Sequence, residues 1–474
     1  MPQFHSLTRS PQTQRRRLGP RGALAILGLI AGATAPLAAG VPLASPALAA
    51  TAAGVGCPAK SGLSCSPKTL TPSLPNTSSP TFQVRQLVQC GARMYGVGTF
   101  SKIVSPNISG HGSVTFSRNN VFSFSATRPY RVTSWNPDVN GEVNSIAVGG
   151  TNCSTAYLGG TFTKVHGTSV KDIAAVSTST GAVLTKFRHE ANNTVQTLLL
   201  HNGRLLTGGY FTTINGQSRD YYAALSSSTG APSGYLGLDI SGNYQFPGVA
   251  SNGTRVYNQQ LSHDGTRVLV EGDFTSVGGL PRQQIFMISL GSSKATVTSW
   301  TSPDFSQDCY TTEPFYIRAA AWGPTDNTIY TAATGYHPFN MPIGATPRTG
   351  LCDSAAAFPA SGSVMPRWIN YTGCDSLYSV AAGTGTVYIG GHERWTGNSD
   401  DCDAEGPGAK AAPGMAGLSE SAGHLVFDPT RARGLGADDM LMTKAGLWIA
   451  SDNFDGSDTC GGVSNRAGIC FLGK

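Results

Sequence analysis

The sequence predicts an all-β fold, a seven-bladed β-propeller of four-stranded antiparallel blades preceded by a signal peptide. Three observations predict it. A Gly-rich anchor recurs along the chain, short apolar runs separated by hairpin turns fill each interval, and an arginine-bearing leader precedes them.

Residues 1–49 hold Arg9, Arg15, Arg16, Arg17 and Arg21 and no acid; Gly22 to Ala35 is apolar and Ala47-Leu48-Ala49 has a small-x-small pattern. Basic start, apolar core and small-residue exit are the layout of a secretory signal peptide, with the mature chain beginning near Ala50. Pro36, Pro42 and Pro46 weigh against a transmembrane anchor, and Arg15-Arg16 leaves the export route open between the general and twin-arginine pathways. The leader also accounts for the charge. The chain of 474 residues carries 33 Lys+Arg against 27 Asp+Glu, a net +6, but its body over 50–474 holds 28 against 27. Such a body lacks the basic excess of a nucleic-acid binder. At 40% hydrophobic it is also too apolar for a disordered chain. The expected product is a secreted monomer with no membrane anchor once the leader is cleaved.

Residues 50–80, rich in Pro, Ser and Thr, read as a linker. The propeller is expected over 81–474. Tyr157–Thr163 recurs as Leu206–Thr212 and as Val270–Thr275, with Gly167, Gly216 and Gly279 five residues beyond each Phe. Weaker copies place aromatic anchors at Phe100, Tyr336, Trp395 and Phe454, beside Phe162, Phe211 and Phe274, at a mean spacing of 59 residues. Within the third copy, Val195–Leu200, the turn Asn202-Gly203, Arg204–Thr207, Tyr222–Leu225 and the turn Thr229-Gly230 spell out successive hairpins. Paired Gly in a strand permits a bulge or the close approach of a neighbouring blade. The last copy ends on its third strand, so Leu70–Pro80, or residues beside it, are expected to supply the closing strand at an edge that tolerates proline.

Tyr157–Phe162 with Gly167 and Ile173–Val176 resembles the delta-60-type β-propeller repeat of secreted bacterial proteins. The C-terminal third is similar to a group of exported bacterial propeller proteins at Cys352–Ala356, Asp375–Val380, Gly390–Trp395, Gly406–Gly408 and Gly446–Trp448. The resemblance covers residues 81–474. It implies the fold and export, and supplies no activity and no catalytic residues.

Ten cysteines in an exported chain read as disulfides. Cys90 and Cys153 occupy equivalent turns of neighbouring blades; Cys309 and Cys352 bracket blade 5, Cys374 and Cys402 bracket blade 6, and Cys460–Cys470 and Cys57–Cys65 are local pairs. The long loops gather on the face carrying the two bracketing bridges. There His392, Glu393, Arg394 and Trp395 replace the usual Thr-Phe anchor. They read either as a ligand pocket with Trp395 stacking on a sugar, or as structure with Trp395 in the core slot of Phe162. Asp400, Asp401, Asp403 and Glu405 read either as Ca²⁺ ligands or as a solvated acidic loop. Asp452–Asp458 lacks the spacing and distal Glu of an EF-hand and reads as structural. No GxSxG, HExxH or Walker motif occurs. The favoured function is non-catalytic binding of a glycan, cell-wall polymer or protein. The alternative is a secreted carbohydrate-active enzyme, hydrolase or lyase, using channel-mouth carboxylates among Glu393, Asp308, Glu313 and Asp375.

Overall fold

The structure, a computed structural model, describes residues 62–75, 82–106, 113–243, 253–307, 309, 315–335, 350–362, 364–399, 404–429, 436–452, 459–460, 463–464 and 467–474. The export signal expected over 1–49 lies outside them. The described chain is all-β. Its only helical segments are two 3₁₀ turns, Thr151–Cys153 and Pro303–Ser306.

Short strands rich in Val, Ile, Leu, Tyr and Ala form because tight turns return each one beside its predecessor. At Asn202-Gly203 both residues have positive φ, 46° and 73°, the twist of a two-residue type I′ hairpin. Among the described residues the chain builds eight antiparallel sheets of three or four strands; one is a small outer sheet of two-residue strands, Ile240–Ser241, Ser276–Val277 and Leu280–Pro281, and the other seven open on longer first strands. Their first strands are Gln83–Cys90, Glu142–Gly149, Val195–His201, Arg255–Leu261, Phe315–Trp322, Leu377–Gly383 and Ala437–Thr443. Each pairs with the strand that follows it, and that second strand pairs with a third. The first strand of every sheet touches the first strand of the next, and that of the seventh touches that of the first. The architecture is thus a β-propeller, with sheets set around an axis and cores between them.

The paired glycines do two separate jobs. A Cβ at the first member, Gly159 or Gly208, would lie 2.5 or 2.6 Å from Val195 or Val256 of the next sheet. A Cβ at the second member, Gly160, Gly209 or Gly391, would lie 2.0 to 2.2 Å from the carbonyl oxygen of Glu142, Thr194 or Ser376, at or just before the start of its own first strand. There the first strand bulges, and its backbone presses onto the glycine.

Phe100, Phe162, Phe211 and Phe274, at most 2% exposed, fill one slot after the second strand. In the sixth sheet Gly391 takes the place of Gly160, so the slot falls to Glu393, which is fully buried. This corrects the structural reading of Trp395. That residue is half-buried, lies two positions further on and opens the outer hairpin Trp395–Thr396/Lys410–Ala411. Tyr336 and Phe454 lie outside the described residues.

Two disulfides are described, Cys90–Cys153 and Cys309–Cys352. Cys65, Cys374 and Cys470 are also disulfide-bonded; the partners expected for them, Cys57, Cys402 and Cys460, have no described side chains. Residues 62–75 run beside the last strand, Ile469–Gly473. Ser64 N donates to Gly473 O at 2.8 Å, Lys68 N to Phe471 O at 2.9 Å and Leu74 N to Ala467 O at 2.9 Å. These contacts begin upstream of the expected Leu70–Pro80, and residues 76–80 lie outside the described ones.

Candidate functional site

Every first strand carries its bulge at the same place. The register slips between Val84 and Gln86, Val143 and Ser145, Val195 and Thr197, Val256 and Asn258, Ile317 and Ala319, Leu377 and Ser379, and Ala437 and Asp439. The apolar residue before each slip is fully buried, with Val84, Val143, Val195, Val256, Ile317, Leu377 and Ala437 all at 0%. The residue after it reaches the neighbouring sheet in several cases. Gln86 Oε1 accepts from Ile146 N at 2.7 Å, Ser145 Oγ from Leu198 N at 3.0 Å and Asp439 Oδ2 from Leu87 N at 3.0 Å. With both flanking side chains committed to the sheet interfaces, the bulged residue turns to the axis. The seven are Arg85, Asn144, Gln196, Tyr257, Arg318, Tyr378 and Asp438.

These bulges sit at the start of the first strands, on the face where the chain enters each sheet and where Cys309–Cys352 lies. Beyond them the residue after each second glycine, or its substitute, forms a rim that includes Tyr210, Asp273, His392 and Asp452. The polar groups interlock. Arg85 meets Glu142 at 2.5 Å. Arg255, nearly buried, meets Asp273 at 4.0 Å and hydrogen-bonds the Tyr210 hydroxyl. Asn144 donates to Val195 O at 3.2 Å, and the Tyr257 hydroxyl donates to Ile317 O. The Tyr378 hydroxyl lies 3.4 Å from His392 Nδ1, and His392 Nε2 lies 3.3 Å from Asp452 Oδ2. Arg318 is exposed, 6.0 Å from the centre of the Tyr257 ring and 5.5 Å from that of Tyr378.

Burial dominates the acid–base character of this mouth. It pushes the Tyr257 hydroxyl well above its ordinary value and the Tyr378 hydroxyl up to about 12. Burial, and then the charge of Asp452, push the Asp438 carboxyl up to about 7, against the opposing pull of Arg85, His392 and Arg318. Asp438 thus answers to cations of the first and fifth sheets as well as its own neighbours, as a residue on a shared axis does.

No family model and no curated protein matches the chain. Among solved structures it is similar to the computationally designed Ika8 protein, at 8% identity, TM-score 0.43, over 85% of this chain and 98% of that one. Sqt1 of Saccharomyces cerevisiae matches at 9% identity, TM-score 0.46, over 86% and 98%. YCF48 bound to D1 peptide matches at 8%, TM-score 0.42, over 86% and 97%.

The four residues expected to form one pocket are dispersed by the structure. His392 reaches the axial rim. Glu393 goes into the core. Arg394 turns onto Asp375, with Nε to Oδ2 at 2.8 Å and Nη2 to Oδ1 at 3.1 Å, and its guanidinium lies 4.4 Å over the Trp395 ring. That stacking covers one face of the indole that a sugar would need. Asp375 is thereby held in a bidentate pair, buried at 4% exposure. Asp308, Glu313, Asp400, Asp401 and Asp403 lie outside the described residues and Glu405 is exposed. Among the described residues no group of three metal-ligating side chains converges, and no helix is long and apolar enough to cross a membrane. Sequence reasoning missed the axial set. The seven share no residue type, and the signal that finds them is positional: each lies across the hairpin from the second small residue of its anchor.

Proposed function

We propose that the chain is an exported seven-bladed β-propeller that binds a glycan, cell-wall polymer or protein at the axial mouth on its loop-bearing face, without chemically transforming it. The observation that carries this reading is the ring of bulges. Seven first strands in a closed cycle each deliver one side chain to a common axis, and those side chains are amide, phenol, guanidinium and carboxyl groups, the types that make directional contacts with a polar ligand. The leader over 1–49 and the disulfides support export.

Retention of the mature protein on insoluble polysaccharides and wall preparations, run beside a chromogenic glycoside panel, tests the reading. Retention without turnover is expected. Asp438 is the described axial carboxyl that a general acid would most resemble, since it holds its proton near neutral pH. Turnover that Asp438→Asn abolishes would establish the enzymatic alternative instead. N-terminal sequencing of the secreted product should read from near Ala50, and an intact Met1 would remove the export claim.

A further inference from the structure

We propose that Arg318 is the anion-binding residue of the axial mouth, and that it takes the carboxylate of an acidic sugar residue. This deepens the binding reading above and rests on it.

Arg318 differs from the other arginines of this region in making only aromatic contacts with the described residues and no ion pair or hydrogen bond. Arg85 is paired with Glu142, Arg255 with Asp273 and Tyr210, and Arg394 with Asp375. Arg318 makes no ion pair and no hydrogen bond with any described residue, and it is exposed. Its position is nonetheless built. It is the bulged residue of the fifth sheet's first strand, fixed between Ile317 and Ala319, which are 0% and 6% exposed. Tyr257 and Tyr378 stand on either side, and neither depends on Arg318 for its place. Tyr257 is tied to the Ile317 carbonyl, and Tyr378 meets the His392 ring edge-on at 5.1 Å. Aromatic flanks hold a guanidinium through its faces and leave the N–H edges free, and that fork matches a carboxylate bidentately.

The other carboxylates of the mouth are engaged elsewhere: Glu142 meets Arg85, Asp273 meets Arg255 and Asp452 meets His392. The acid electrostatically linked to Arg318 is Asp438, which also answers to Arg85, Asp452 and His392. Burial and Asp452 keep Asp438 largely protonated until pH 7, so it competes weakly for the guanidinium. Gln196 also makes no hydrogen bond with a described residue, and its amide can serve sugar hydroxyls, for which tyrosine rings are natural platforms. A neutral glycan would use these groups and leave Arg318 unanswered.

The test is calorimetric titration of the mature protein with oligogalacturonate, hyaluronate fragments and sialyllactose. The fully methyl-esterified oligogalacturonide serves as control, since it keeps the ring hydroxyls and loses the charge. At least one acidic ligand should bind, more weakly as salt rises. Arg318→Gln should weaken that binding at least tenfold with an unchanged melting curve, and Arg318→Lys should weaken it less. The ester should bind wild type no better than the acid binds Arg318→Gln. Binding of acid and ester alike, an undiminished Arg318→Gln, or no binding by any acidic ligand would overturn the proposal. If wild type and Arg318→Gln are both retained on a neutral polysaccharide, the axial binding reading survives and the role of Arg318 falls.

Discussion

Glu271 shows how far one residue can depart from the repeat and still be accommodated. It stands where Gly159 and Gly208 stand in their sheets, facing the next sheet, and it is fully buried with neither carboxyl oxygen hydrogen-bonded to another described residue. Burial pushes its carboxyl up to about 8 from an ordinary 4.5, so at neutral pH the folded protein holds it as a neutral acid. A carboxyl whose folded value is raised binds its proton more tightly folded than unfolded. Its stabilising contribution is therefore complete below pH 4.5 and is lost as pH rises towards 8, by up to about 1.4 kcal/mol per pH unit. Asp172 and Asp439, pushed up to about 6, and Asp438, to about 7, act in the same direction at lower pH. The fall in stability above pH 7 should thus belong mainly to Glu271. Urea unfolding at pH 7 and pH 8 should show that fall in wild type and a much shallower one in Glu271→Gln. The amide swap shifts stability by a constant offset and leaves nothing to titrate at this position. A variant that keeps the wild-type slope would assign the proton elsewhere.

The unit element is a hairpin whose second strand ends in small residues because its first strand bulges. At Gly160 an added Cβ would sit 2.0 Å from Glu142 O, and backbone cannot yield there without moving the bulge. Gly160→Ala should therefore cost about 1–3 kcal/mol, the range for overpacking, measured by chemical denaturation. By contrast Gly203→Ala meets no atom within 4 Å and should lose only the conformational preference of a positive-φ turn, about 1 kcal/mol. Equal losses at the two sites would show that the bulge is soft. Ala333 and Ser451 hold the Gly160 place in the fifth and seventh sheets, which shows that the requirement is smallness adjusted by local register. This coupling explains what was legible in the sequence. The Gly-Gly anchors and their hairpin turns are local chemistry, readable one repeat at a time, and they point to the bulge. The residue that the bulge delivers is not, since Arg85, Asn144 and Tyr257 have nothing in common but register. Register depends on pairing, which a linear pattern of types does not encode. The same limit misplaced the sixth anchor. With Glu393 in the aromatic slot, a search for aromatics slides two positions to Trp395.

For the molecule as a whole, the decisive seam is between the seventh sheet and the first, where residues 62–75 and the first sheet meet the last strand. A cycle of sheets has no exposed edge along its inner strands only while that seam holds. Three kinds of contact hold it. Asp439 accepts from Leu87 N, the Gln83–Asp452 bridge joins the two first strands' surroundings, and residues 62–75 lie along Ile469–Gly473. A shared core packs behind them. Leu74 at 2% exposure joins Val84, Leu87, Phe124, Trp448 and Phe471, with Trp448 and Phe471 stacked at 4.1 Å. Of the two disulfides with both partners described, neither crosses this seam; Cys90–Cys153 ties the first sheet to the second and Cys309–Cys352 lies within the fifth. Opening should therefore begin between sheets seven and one. Leu74→Ala removes a buried side chain at the seam and should cost about 2–5 kcal/mol, lowering Tm by several degrees. Hydrogen exchange should quicken first at Leu87 and along Ile469–Gly473, while the amides of Thr155–Thr161 in the second sheet keep their protection. Uniform loss of protection across all seven sheets would mean that the ring unfolds as a single unit and that the seam has no special weakness.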